Sequence, residues 1–413
     1  MTDLSPAQTS ALTFLEGTAA DQLSFAKDLI RTPSPNPPGD ERAVATLVRD
    51  KLAELGITDV ITVGVDETRP NLIVRIPGSV PGRTFMLSGH LDTKPAGDMS
   101  AWQTDSWEPE VRDNQLIGLG SGDMKAAVAA MVFAGAAVKQ AGDYPGELQL
   151  VFTADEEAGS IKGSKWMAEN GHLSADVAVI GEPSGVEEEW ESIAVISRGA
   201  ALFKVKVTGT QMHSSVSDRI KGINATVEMA RLIDRMDREF KEWITYEPHP
   251  LSPRGPTVNV GVMASAGVFY GVYPGNAEFA CDIRTLPGMT REQLEADLQR
   301  FLAQAMADAP DLRAELVFEI YVPATEISPD EPAVKALQWA ADRVLHFSPS
   351  LAAFPGATDA PHFQLIAGVP TVAAFGPGLL PRAHSPNEHL AIDGIEKAAQ
   401  IYALATIRYL EDG

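Results

Sequence analysis

The chain has 413 residues, 45% of them hydrophobic, and its 33 basic against 56 acidic side chains leave a formal charge of −23. That length suits two or three domains, each with its own core, and so acidic a chain with no basic cluster excludes a nucleic-acid surface. No apolar run is expected to near a bilayer-spanning length, no basic start with an apolar stretch marks a leader, and the single cysteine, Cys281, excludes an internal disulfide.

In chain order, residues 8–31 read as helical, and PSPNPPGDE follows as a Pro-rich loop. Asp40 is placed to cap a helix over ERAVATLVRDKLAELG that stops at Gly56. Short apolar runs come next, in NLIVRIPG, TFMLSGHLD, ELQLVFTADEE and ADVAVIGEP, with a small-residue helix over residues 125–141 between them. Near-continuous apolar strands alternating with helices predict an α/β domain, its mixed sheet covered by helices on both faces.

The texture changes near Ser197. GAALFKVKVTGT alternates as a half-exposed strand does. A helix over residues 223–238, strands in TVNVGVMAS and AEFACDIRTL, a helix over 291–307 and a strand in AELVFEIYV complete a β-α-β-β-α-β order. That is a ferredoxin-like α+β unit. It is read as an insertion over 197–325, dividing the first domain into 1–196 and 326–413. Cys281, beside Phe279, Ala280 and Ile283, is an ordinary strand residue of the insertion. A helix over 332–345 and a final strand in VPTVAAFGPG return the chain to the first domain.

Five segments bring acids or imidazoles to the ends of apolar runs. They hold His90 and Asp92 (SGHLDTKP), Asp123 (GSGDMKAA), Glu156 and Glu157 (TADEEAGS), Glu182 (IGEPSG) and His384 (RAHSPNEH). Loops at the carboxyl ends of strands are where α/β proteins place active sites. Two imidazoles with several carboxylates make the mixed nitrogen and oxygen set that zinc or cobalt accepts. His90 and Asp92, two apart in an extended segment, share a face, so one can bind metal while the other orients the imidazole. Of the adjacent Glu156 and Glu157, one can bind metal while the other moves a proton. GLGSGD resembles a nucleotide loop, but it lacks the third glycine of the dinucleotide pattern and the Gly-Lys-Ser/Thr of a P-loop. Elsewhere, His172, His249, His346 and His389 read as surface or loop residues, His362 lies near the site, and His213 in GTQMHSS stands out on the insertion.

As a set and in this order, GHLDTKP, GSGDMKAA, DEEAGS, GEPS and AHSPNEH resemble the zinc aminoacylase/carboxypeptidase family that includes acetylornithine deacetylase and succinyl-diaminopimelate desuccinylase. The resemblance implies two divalent ions, zinc first and cobalt or manganese as alternatives. Asp123 bridges them, His90 and Glu182 complete one site, and Glu157 and His384 complete the other. It makes Glu156 the general base toward a metal-activated water, sets Asp92 behind His90, and makes the peptide after Asp123 cis. It makes the insertion a lid through which the chain forms a homodimer. On that lid, His213 would stabilise the tetrahedral oxyanion, and Asn259 and Arg284 would bind the substrate carboxylate; Thr358 in GATDA lines the pocket.

The expected activity is hydrolysis of the amide bond of an N-acyl amino acid by a cytoplasmic enzyme with no nucleic-acid or membrane partner. A dipeptidase or carboxypeptidase acting on a short peptide stays open, as does a catalytically silent binder of amino-acid derivatives. Three departures concern the substrate rather than the metals: Gly118-Leu119-Gly120 replaces the usual Gly-Arg-Gly, HSSVSDRIKGINA lacks the proline of the lid motif, and Pro361 follows GATDA in place of an arginine.

Overall fold

The computed structural model describes residues 4–413. They divide into two compact units, one formed by residues 4–197, 326–354 and 358–413, the other by 198–325 with 355–357.

Among the described residues, the first unit carries a six-stranded sheet in the order Val60–Val63, Asn71–Pro77, Pro145–Thr153, Val80–His90, Val177–Ile180, Thr371–Val372. The first three strands pair antiparallel, and the rest join in parallel, with His90 opposite Thr153 and Ser88 opposite Ile180. Parallel strands end side by side. The segments after His90, Thr153 and Ile180 therefore leave the sheet together, carrying Asp92, Glu156, Glu157 and Glu182 with them.

Helix Ala126–Ala141 is buried along its length through Val138. Its run of alanines lets sheet and helices approach closely, and the residues lost from its apolar side to solvent are few. Here the expectation from the sequence needs correction. Ser121–Ala141, 21 residues with a window of mean hydropathy 1.3, is long and apolar enough to cross a membrane by length and composition. Asp123 and Lys125 break the run to the eye, but the rest of the segment carries the average. All of the apolar window is buried inside the protein, so it is a core helix.

The predicted helix over 8–31 is two helices, Pro6–Gly17 and Ala19–Ile30, broken at Thr18. Asp40 takes the Arg42 N–H at 3.2 Å, although helix Arg42–Glu54 has Glu41 at its N-cap with no side-chain cap. Helix Pro332–Leu345 has the predicted limits. The strand expected in VPTVAAFGPG is broken into Thr371–Val372 and Gly376–Leu379, the second paired with Pro183–Gly185. Sequence reading missed strand Ser350–Phe354, parallel to Ser192–Ser197, and the closing helix Asp393–Glu411, buried on Ile395, Ala398, Tyr402 and Leu410 among others.

The second unit holds an antiparallel sheet of Thr257–Ala266, Asn276–Thr285, Gly199–Thr208 and Ala314–Val322, in that spatial order. Helices Ala225–Glu239 and Arg291–Asp308 complete the strand-helix-strand-strand-helix-strand sequence of a ferredoxin-like unit. Phe203, Val205 and Val207 point into the core while Lys204 pairs with Glu319 at 2.9 Å outside it. Phe240 and Phe301 meet edge to face with centroids 5.3 Å apart. Cys281 is buried in this core, and burial pushes its thiol up to about 12.

Candidate metal centre

Each acid and imidazole of the first unit sits where a strand or turn ends. His90 is the last residue of Val80–His90. Its Nε2 lies 2.9 Å from Asp123 Oδ1 and 3.5 Å from Glu182 Oε1. On the other side of Asp123, Oδ2 is 3.1 Å from His384 Nε2, which is also 3.1 Å from both Glu157 oxygens. Asp123 thus faces one imidazole with each oxygen. The Asp123–Met124 peptide is cis.

Two groupings have the compactness of a cation site: His90, Asp123 and Glu157, and His90, Glu156 and Glu182. His90, Asp123, Glu157 and Glu182 are buried, whereas Glu156 is partly open and the His384 side chain is 46% exposed.

The electrostatics follow from crowding acids out of water. Burial pushes the Glu182 carboxyl well above the ordinary range, with the charge of Asp123 adding to it. Burial does the same to Glu156, where His90 opposes and Glu182, Asp359 and Glu157 add. For the imidazoles burial acts downward, but bonds to Asp123 and Asp92 carry His90 well above its usual value. Likewise, despite burial, bonds to Asp123 and Glu157 carry His384 to about 10. Burial opposes ionisation of Asp123, yet its bonds to His384 and His90 hold it below the carboxylate range. Every imidazole here favours positive charge and the acids outnumber them. The nitrogen and oxygen donors of this cluster lie close enough together to fit divalent metal ions.

Asp92 meets His90 Nδ1 with two groups. Its main-chain carbonyl lies 3.0 Å from His90 Nδ1, nearer than its carboxylate at 3.5 Å. The carboxylate instead accepts the N–H groups of Glu156 and Glu157, at 3.2 and 3.1 Å, and the Asn36 amide at 2.8 Å. One residue therefore orients the imidazole through its backbone and the two acids through its side chain.

Behind it lies a buried network that sequence reasoning missed. Asn36 also donates to Asp155 at 3.0 Å. The Arg69 guanidinium bonds Glu41 at 2.6 Å, Asn36 Oδ1 at 3.3 Å and the Pro38 carbonyl at 2.8 Å. Burial pushes the Glu41 carboxyl up to about 7; the charge of Asp92 adds to this and Arg69 opposes it. Gly39, at φ +79°, lies under that guanidinium, and a Cβ there would come within 1.9 Å of its carbon. Any other residue would displace the arginine.

Lys94, the lysine of GHLDTKP, is also at the centre. Its N–H donates to Glu157 Oε1 at 3.1 Å and its Nζ lies 3.2 Å from Oε2. Glu388, in the AHSPNEH segment, is 1% exposed and bonds the loop that bears Asp123. The signal for Glu388 was an acid two residues beyond a loop proline. Nothing local says whether such an acid meets solvent or backbone.

The remaining predicted residues lie elsewhere. Thr358 is buried in the first unit, where its Oγ1 meets Ser197 Oγ at 3.3 Å. His362 bonds Ser164 at 2.8 Å and lies 3.6 Å from Asp359. His213, Asn259 and Arg284 belong to the second unit. There Ser215 engages His213 Nδ1 at 2.8 Å, Arg284 pairs with Asp282 at 2.9 Å, and Asn259 sits opposite Asp282 in the sheet.

The chain is similar to known proteins over nearly its whole length. The model of peptidase family M20/M25/M40 matches residues 86–408. A succinyl-diaminopimelate desuccinylase of Bradyrhizobium diazoefficiens is 31% identical, over 94% of this chain and 99% of its own length. The fold is shared with the dipeptidase Dug1p of Saccharomyces cerevisiae, at TM-score 0.75 and 18% identity over 99% of this chain and all of that one. It is shared too with a dinuclear metal-binding peptidase of Bacillus subtilis, at TM-score 0.68 and 17% identity over 96% of this chain and 99% of that one. The chain belongs to peptidase family M20/M25/M40, as a metal-dependent hydrolase of amide or peptide bonds.

Proposed function

We propose that this hydrolase removes the acyl group from an N-acyl amino acid, with Glu156 as its general base. The substrate class is supported by the similarity to desuccinylases along nearly their whole length. The role of Glu156 is carried by one observation: of two adjacent glutamates, Glu157 is joined to His384 and Lys94 at the centre, while Glu156 is the more open.

Asp123, His90 and Glu182 would hold one divalent ion, and Asp123, Glu157 and His384 the second, with zinc proposed for both. Bound there, the ions would lower the pKa of water and polarise the scissile carbonyl. Glu156 takes a proton from the attacking water and delivers it to the leaving amine nitrogen. Asp92 keeps the His90 ring and the 156–157 turn in place meanwhile. Thr358 would line the pocket.

His213 would meet the developing oxyanion; the reading is supported by the Ser215 contacts at Nδ1, which leave Nε2 for a ligand. Arg284 and Asn259 would bind the substrate carboxylate, the guanidinium releasing Asp282 to do so. A homodimer through the second unit is part of the proposal. In its support, strand Thr257–Ala266 lies at a sheet edge with Val262 52% and Met263 63% exposed, and Phe269 and Tyr270 beyond it are 78% and 93% exposed. A cytoplasmic location completes it, supported by the unpaired thiol of Cys281.

A panel of N-succinyl and N-acetyl amino acids and of dipeptides, each with and without a free α-amino group, tests the substrate reading. Turnover of N-acyl amino acids at least tenfold above that of dipeptides is expected. A strict need for a free α-amino group would transfer the enzyme to the dipeptidases. Sedimentation should return twice the chain mass; a monomer at micromolar concentration removes the dimer.

A further inference from the structure

The loop Gly118-Leu119-Gly120-Ser121-Gly122-Asp123 has the look of a phosphate cradle without the residues that complete one. In the structure it does hold a carboxyl group, and the group is the chain's own. Glu388 Oε1 accepts the N–H groups of Gly122 at 2.8 Å and Asp123 at 3.0 Å, and Oε2 accepts that of Gly120 at 3.1 Å. Backbone N–H groups converging in this way form an anion-binding nest. Gly120, at φ +79°, makes the turn that aims them, and a Cβ there would lie 2.6 Å from Thr93 Cγ2.

The placement of Glu388 is set by strand register. His389–Ala391 pairs antiparallel with Gln115–Ile117, His389 opposite Ile117. The next step outward puts the Glu388 carbonyl on the Gly118 N–H at 2.9 Å. Its side chain then has one direction open, into the nest. Four residues earlier on the same loop stands His384, 3.1 Å from the other end of Asp123. Asn387 anchors the loop between them, accepting the Gln103 N–H at 2.7 Å and donating to the Ala101 carbonyl at 3.1 Å.

We propose that Glu388 is a positioning residue of the metal centre: by filling the nest of residues 120–123 it sets the backbone from which the Asp123 carboxylate reaches between His90 and His384. It touches no reacting atom. It acts through Asp123, and because Asp123 faces both imidazoles, both metal positions depend on it. The inference rests on the metal reading above.

Glu388→Gln tests it with little change of volume. An amide keeps one acceptor oxygen and turns an NH₂ group toward an N–H that needs an acceptor. Metal affinity is read by titrating the metal-free chain with zinc in a chelator-buffered series, with circular dichroism as the check on folding. Affinity at the positions sharing Asp123 should fall by about 10–100-fold, as for partners that hold metal ligands. At saturating zinc, kcat should fall more than KM changes. A merely structural glutamate would lower melting temperature and leave affinity and the kcat-to-KM split unmoved, and that result overturns the proposal.

Should the variant not fold, amide exchange of the wild-type chain decides. The Gly120, Gly122 and Asp123 amides must be protected with metal removed, because Glu388 and not the metal holds them. Fast exchange there overturns the inference. If the wild-type chain binds no metal, the metal reading itself fails; if it binds two ions and Glu388→Gln binds them equally well, this inference fails alone.

Discussion

Replacing Glu156 by alanine is expected to cut turnover by about 10²–10⁴-fold while metal content and fold stay nearly unchanged. Glu156 and Glu157 follow one strand, and the same Asp92 carboxylate holds both of their N–H groups. Their side chains then part. Glu157 is buried against His384 and Lys94, whereas Glu156 is partly open beside His90 and Glu182. An acid that must accept a proton from water and release it to an amine needs that access. Glu157→Ala should do the opposite and lose the ion shared with His384, so the neighbouring residue serves as the control. Metal stoichiometry and steady-state kinetics of both variants decide the matter. If Glu156→Ala strips metal and Glu157→Ala keeps two ions, the roles are exchanged.

Arg69→Met is expected to lower stability by about 3–5 kcal/mol, the usual cost of removing one partner from a buried ion pair. Arg69 is 5% exposed and Glu41 is fully buried. With the guanidinium gone, the Glu41 carboxylate and the Asn36 and Pro38 oxygens lose a donor that is itself buried. The methionine stem keeps most of the packing, which isolates the charge. Adding Glu41→Gln should restore part of the loss, since it removes the stranded charge. Urea unfolding of the single and double variants measures this. A loss below about 1 kcal/mol for Arg69→Met would show that Glu41 is held by something other than the arginine. Because Asn36 links Arg69 to Asp92, the single variant should also weaken metal binding.

What could be read from the chain follows from which signals are local. Apolar runs ended by acids located the strand ends around His90, Thr153 and Ile180, because strands and their terminating turns are written in neighbouring residues. Helix Pro332–Leu345 was legible for the same reason, with a proline at its start and helical spacing behind it. The break at Thr18 was not, since both sides carry good helix formers. That Ser121–Ala141 passes for a span by length and composition was not seen in the sequence, and its burial is a property of the packed unit. Asp92 was expected behind His90, and its carbonyl lies nearer the ring than its carboxylate does. Spacing shows that two residues share a face, and cannot show that the carbonyl arrives first. Glu388 and the Gly122 amide it holds are 266 residues apart, and Asn36 and Asp92 are 56 apart. Such contacts depend on strand register and loop closure, which no window of sequence contains.

In the proposed mechanism a cation pair held by His90, Asp123, Glu157, Glu182 and His384 is required for amide hydrolysis. Metal per chain should be measured on the purified enzyme before chelation, after chelation and after readdition of zinc, cobalt or manganese, with hydrolysis of an N-acyl amino acid followed in parallel. Two ions per chain are expected, with activity lost as they are removed and regained as two are restored. Undiminished hydrolysis by a chain stripped of metal would contradict the mechanism.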